Sequence, residues 1–538
     1  MTPHRRIVLL GIDGANPQLL RQWARDGILP NLADLMSRGL SATTESLPGF
    51  FIGATWPSLY TGTSPAHHGF HYQLQLRPGT YDLYRPEQTH LVRSPPFWQH
   101  VSRASKRVAV LDVPLSQIDT SINGVQTVEW GGHDAVYGFQ TFPPALAAHI
   151  HERFGDHPLG PTCDGVRKSA DDYAALVEKL VEGVRKKGQI TRDVLGRERW
   201  DLFVQVFTET HCAGHQCWHL HDAGHPEHDA EIVARIGDPL RSVYVAVDRA
   251  IGEIVQDAGD ALIVVLSAHG MASFYGAQFM LRDILLKLGV MKDAQPPPSA
   301  PAKEPLWVSF ASAAWRSLPK SLRAHLAPLR ALHQGTQRTP PPDPTLGIDA
   351  DNSPCFPLSN GLGVGGIRLN IAGREPAGVL KSGDDVEAFV AQLSADLLAI
   401  VDGRTGAPLV RRVLRTRELY RGPLIDALPD LLVEWNDEVT TGSTNVGKGR
   451  AARITAHSDK LGRIEKANGY SRTGEHRTEG LLVAVGPGVT AGEIARHISV
   501  LDLAPTFCKL LDVDFPGGEG QPIAELISAR ASSAPAGR

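Results

Sequence analysis

Short β-branched apolar runs alternate along this chain with longer stretches of helical periodicity, and that alternation constrains the fold more than any other feature. It specifies an α/β architecture: a central, mostly parallel sheet flanked by helices on both faces. Ile7 to Ile12 reads as a buried first strand ending at Asp13-Gly14. Further strands are expected over Arg107 to Val113, Asp201 to Phe207, Ala261 to Ser267, Pro429 to Trp435 and Gly480 to Val485. Helices are expected over Leu29 to Arg38, Asp171 to Lys187, Pro239 to Asp257, Asp384 to Val401 and Leu501 to Leu511, with Asp238 before Pro239 as a start signal. Several strands end in polar residues: Asp13, Glu209 with His211, and Ser267 with His269. Open α/β sheets gather ligands beyond the carboxyl ends of their strands, so these side chains are expected to converge.

Composition narrows the class. With 54 Lys+Arg against 58 Asp+Glu and a net charge of -4, no overall basic field exists for gripping nucleic acid or an anionic membrane. No stretch approaches the ~20 apolar residues of a membrane span, and the run after Arg6 is too short for a signal-peptide core. The reading is a cytoplasmic protein with no nucleic-acid or membrane partner. The 5 cysteines, Cys163, Cys212, Cys217, Cys355 and Cys508, are odd in number and scattered, so reduced thiols are expected.

One domain is expected over residues 1–528, with cap insertions. The stretch 295–345 reads as a Pro-rich insertion, with extended borders and a short helix expected around Lys320 to Leu332. Residues 436–475 read as an irregular insertion and 529–538 as a disordered tail.

Chemistry concentrates at a few positions. Thr55 precedes Trp56-Pro57 at a helix start, where it serves either as an N-cap or in a phosphate site. Asp13 and His269 read singly as cap and turn residues, and His476 as a loop histidine. His211 and His215 are sharper: four apart, they share a helix face and can bind one metal ion, with imidazole nitrogens suited to zinc. His219, His221, His225 and His228 are read as solvated or supporting residues.

In order along the chain, Gly11-Ile12-Asp13-Gly14, Thr55-Trp56-Pro57 with Thr61-Gly62 and His68-Gly69, the His211 segment, Ser267-Ala268-His269-Gly270 and Gly474-Glu475-His476 resemble the alkaline phosphatase superfamily. The resemblance is to type I phosphodiesterase/nucleotide pyrophosphatase proteins and the related predicted phosphohydrolase/phosphomutases. Shorter agreement comes from Arg368-Leu369-Asn370, Gly373-Arg374-Glu375-Pro376, Glu418-Leu419-Tyr420 and Leu428-Pro429-Asp430-Leu431.

The resemblance implies a metal-dependent phosphohydrolase acting on phosphodiester or pyrophosphate bonds of a small phosphate ester, with Thr55 as nucleophile and one or two ions of Zn2+ or another divalent transition metal. Asp13, Thr55 and His269 would hold one ion, and His211, His215 and His476 the other. Two ions about 3.5 to 4 Å apart can clamp attacking and leaving oxygens. A phosphoryl-transfer enzyme or phosphomutase, or a metal-binding protein of this fold with impaired catalysis, is the alternative. The family commonly carries Asp at the positions of His211 and Ala268, so Glu209 or water is left to complete the first site. The sulfatase branch is excluded, since Thr55 is neither Cys nor Ser and no Arg stands two residues past Pro57.

Overall fold

The computed structural model describes residues 6–87, 91–131, 133, 135–294, 346–381, 383–447 and 452–528. Its central sheet has nine strands: β1 (Ile7–Ile12), β2 (Leu40–Glu45), β3 (Val108–Leu111), β4 (Gly124–Val128), β5 (Gln140–Phe142), β6 (Leu202–Phe207), β7 (Leu262–Ser267), β8 (Glu479–Val485) and β9 (Gly492–Ser499). Their order is β9-β2-β8-β7-β1-β6-β3-β4-β5. β1 pairs parallel with β6 and β7 on its two sides, β3 with β6 and β4, and β2 with β9. Only β8, and β5 at the edge, run antiparallel.

Burial on both faces explains the continuous apolar runs. In β1, Val8, Leu10 and Ile12 enter one core while Ile7 and Leu9 enter the other, as the two-residue strand period requires. The long Ala170–Leu195 helix and the Pro239–Ala258 helix cover the first face.

A third core lies under a separate antiparallel sheet, ordered Cys355–Leu358, Val364–Leu369, Leu431–Trp435, Val410–Arg415. Leu431–Trp435, expected beside the other strands, belongs there. The stretch expected to be irregular, 436–475, contains the hairpin Arg453–Ser458 and Gly462–Ala467. Its strands are mostly polar and charged on their outer positions, which hid the two-residue period. The Asp384–Leu398 helix stops before Val401, which starts a short strand against that hairpin. The Pro-rich insertion, its expected helix and the tail lie outside the described residues.

The secondary motifs of the resemblance converge in this second layer. Arg368 is buried against Glu375 at 2.6 Å, and Arg374 meets Asp430 through two bonds of 2.6 and 2.7 Å. Asp430 also accepts the Leu369 backbone N–H at 2.8 Å, so these residues lock a loop to the sheet.

Candidate metal centre and its pocket

Three neighbouring strands deliver the site. Asp13 follows β1, the Glu209–His221 helix follows β6, and His269 lies two residues beyond β7. The strand Gly270–Ser273 pairs antiparallel with Gly474–Arg477, opposing Met271 to His476. That ladder brings a residue from the far end of the chain back to the sheet edge. Gly14, at φ 63°, turns the chain sharply after Asp13, and a Cβ there would stand 3.1 Å from the His211 Cα. A Cβ on Gly474 would meet the Gly214 carbonyl oxygen at 2.1 Å, so this glycine lets the strand lie against the histidine helix.

Asp13, His211, His215, His269 and His476 form one buried assembly. Asp13 Oδ2 lies 2.5 Å from His211 Nδ1, and Asp13 Oδ1 lies 3.3 Å from His269 Nε2. His211 Nε2 is 2.9 Å from His215 Nε2, and His269 Nδ1 is 3.3 Å from His476 Nδ1. The helical spacing read from the sequence therefore places His211 and His215 side by side.

Thr55 is placed differently. It is the first residue of the Thr55–Thr61 helix, with Ala54 at the cap position. Its hydroxyl donates back to the Phe51 carbonyl at 2.8 Å and lies 2.5 Å from Ser46 Oγ. Its neighbour Trp56 reaches the assembly, donating from Nε1 to Asp13 Oδ1 at 2.7 Å. Asn16, not Asp13, caps the first helix, accepting from the Leu19 N–H at 2.8 Å.

Glu209 does not complete a metal site. Its carboxylate lies 3.0 Å from His157 Nε2 and 3.3 Å from Lys187 Nζ, which also meets Asp112 at 2.7 Å. All four are buried. Burial alone would depress the Lys187 pKa, but the two carboxylates outweigh it and raise it; burial likewise opposes, and Lys187 and His157 achieve, the lowering at Glu209.

The donors fit a cation. His215 donates Nδ1–H to the Gly474 carbonyl at 2.8 Å, which turns a bare Nε2 into the assembly. A neutral His211 has a single N–H to share between that Nε2 and the Asp13 carboxylate, so in either tautomer one of the two contacts is an apposition of electron pairs that calls for positive charge between them. A proton is disfavoured there: burial, then the nearby His133, push the His211 pKa down to about 4. Burial would raise Asp13, but the facing His211 and His269 keep it well below the usual carboxylate range. Neutral imidazoles beside an ionised carboxylate are the protonation states metal ligation needs. The ligating atoms of Asp13, His211 and His269, and those of His133, His211 and His215, lie within 4.8 Å of one another in each group.

His133 was not found by sequence reasoning. Its ring stacks on His211, centroids 3.9 Å apart, yet it stands alone in a loop with no spacing partner. Of the later histidines, expected to be solvated or supporting, His219 and His225 are buried, His219 because the helix carrying it runs through the core.

A pocket opens beside the assembly. Its lining combines the polar Asp13, His476, His133, Arg472 and Gln73 with the apolar Ile52, Phe70, Val113 and Leu115 and the ring of Tyr72. Arg472 holds Asp164 at 2.8 Å and donates to His215 Nε2 at 3.2 Å. Asp112, Leu115 and Glu129 on the pocket wall have φ of 56°, 53° and 54°, a conformation that costs non-glycine residues energy and clusters at functional sites.

Residues 7–316 match the family described as Type I phosphodiesterase / nucleotide pyrophosphatase. No curated protein matches the chain. Among solved structures, phosphonoacetate hydrolase from Sinorhizobium meliloti 1021, in complex with phosphonoformate, is similar at 16% identity, covering 95% of this chain and 96% of that one with a TM-score of 0.47. The inactive murine ectonucleotide pyrophosphatase/phosphodiesterase 5 in complex with AMP is similar at 11% identity, covering 96% and 97% with a TM-score of 0.45.

Proposed function

The chain belongs to the type I phosphodiesterase/nucleotide pyrophosphatase family, and from that premise we propose that it is a metal-dependent hydrolase of phosphodiester or pyrophosphate bonds in small phosphate esters. The observation that carries this reading is the apposition of neutral imidazoles and an ionised Asp13 at the carboxyl ends of three adjacent strands.

Asp13, His211, His215, His269 and His476 would hold one or two divalent ions, zinc by the preference of imidazole and carboxylate donors. When bound, such an ion lowers the pKa of a hydroxyl and polarises phosphoryl oxygens. Thr55 Oγ1 attacks phosphorus and loses its proton as the P–O bond to the leaving alcohol or phosphate breaks, the departing oxygen taking up a proton; water then cleaves the phospho-threonine P–O bond, which releases the phosphate product and restores the Thr55 hydroxyl. The Phe51 carbonyl and Ser46 hydroxyl fix the Thr55 oxygen before attack. Trp56 orients Asp13 through its indole N–H. Arg472, kept in place by Asp164, contributes positive charge to the pocket wall where an anionic ester would lie. The apolar lining residues accommodate the ester group and exclude water.

Thr55→Ala tests the reading. Turnover of bis(p-nitrophenyl) phosphate by zinc-loaded protein is expected to fall by about two orders of magnitude or more, with metal content retained. Unchanged turnover would remove Thr55 from the mechanism.

A further inference from the structure

Beside His211 stands a second donor cluster, whose two thiols the hydrolase reading does not use. His133 Nδ1 lies 3.3 Å from the Cys163 sulfur, and the ligating atoms of His133, Cys163 and Cys212 all lie within 4.8 Å of one another. The two thiols are fully buried. They come from separate parts of the chain: His133 from the loop after β4, Cys163 from the segment leading into the Ala170–Leu195 helix, and Cys212 from the helix that carries His211. Cys355 and Cys508, by contrast, sit in apolar cores with their sulfurs against the backbone carbonyls of Val290 at 3.7 Å and Phe97 at 3.8 Å, as small apolar fillers do.

We propose that His133, Cys163 and Cys212 form a soft-metal site for a thiophilic divalent cation, beside the carboxylate-histidine assembly and distinguished from it by its two thiol donors. Two thiolates and one imidazole are the donor set of a three-ligand zinc site that leaves one position open. The charges balance: a divalent ion displaces two thiol protons to solvent, and two thiolates against two positive charges leave a neutral group, which a buried location tolerates. Occupancy ties the loop bearing Glu129 and His133, part of the pocket wall, to the histidine helix.

The test uses Cd2+ as the probe on full-length protein stripped of metal under reducing conditions. Titration is expected to raise a near-ultraviolet sulfur-to-cadmium charge-transfer band and to release about two protons per ion bound at this site. The band should fall about twofold or more in Cys163→Ala and in Cys212→Ala, and persist in Cys217→Ala and His215→Ala. No band in the wild type at saturating Cd2+, or an undiminished band in both variants, overturns the proposal. So does a thiol count on denatured, unreduced protein of three in place of the 5 cysteines present, which would show a disulfide. The band requires no turnover, so its outcome is independent of the Thr55→Ala result.

Discussion

Lys187 holds two buried carboxylates, Asp112 and Glu209, at 2.7 and 3.3 Å. Glu209 begins the helix that carries His211 and His215, and Asp112 lines the pocket, so this ion network ties the site to the long helix behind it. Replacing a buried charge by an apolar side chain leaves its partners uncompensated, so Lys187→Met should cost about 3–5 kcal/mol in equilibrium urea unfolding. A loss under about 1 kcal/mol would mean that the carboxylates take up protons without penalty. Glu227 gives the opposite sign of problem. Burial raises its pKa to about 7 although the Ser443 N–H donates to it at 2.9 Å, and its other oxygen has no hydrogen-bond partner among the described residues. The folded-state pKa is above the unfolded one, so between about pH 4.3 and 7 the folded state holds more protons. Stability from this group is therefore complete below about pH 4 and lost as pH rises through about 7. Glu227→Gln should flatten that decline and be more stable than wild type at about pH 8, by up to about 3 kcal/mol; parallel stability-against-pH curves would contradict it.

Helix Pro30–Arg38 has no side-chain cap of its own, since Leu29 stands at the cap position. Asp248, from the Pro239–Ala258 helix, supplies it instead, accepting from the Leu32 N–H at 2.7 Å and from the Asn31 N–H at 3.2 Å and side chain at 2.8 Å. Asp248→Ala should cost about 1–3 kcal/mol with an unchanged denaturant slope, because orphaned buried donors lose their partner while the folded surface stays the same. No sequence pattern announces a cap delivered from more than two hundred residues away, and the same limit governs what could be read in this chain. β1, β6 and β7 were legible because both faces are buried and their apolar runs are uninterrupted. β2, with Ser41, Thr43 and Thr44, and β9, with Arg496 and His497, were not, because their side chains mix polar with apolar. His211 and His215 were legible through helical spacing, and Asp13, His269 and His476 through their order along the chain. His133 and the Cys163–Cys212 pairing were not, since they meet only by packing of loops against a helix. Glu209 misled for a related reason: its place beside His211 in sequence suggested the metal, but on the helix its side chain faces Lys187 and His157.

Taken whole, the molecule assembles its candidate metal centre from segments that only the fold holds together: the turn after β1, the helix after β6, the turn after β7 and the ladder before β8. Unfolding separates all of them, so an ion there binds the folded state far better than the unfolded one, and its binding free energy adds to stability. At a free zinc concentration of about 100 times the dissociation constant the gain is about 2.7 kcal/mol. For a chain of this size that is a rise of about 2 degrees in the thermal midpoint, more than a surface ion pair would supply. Metal-stripped protein should therefore melt measurably earlier in differential scanning calorimetry, and added zinc should restore the midpoint in a concentration-dependent way. The comparison with His269→Ala isolates this centre from the thiolate cluster: that variant keeps Cys163 and Cys212, so it should retain only part of the zinc-dependent rise. A full rise in His269→Ala would place the stabilising ion elsewhere and remove the strand-end assembly from the metal assignment.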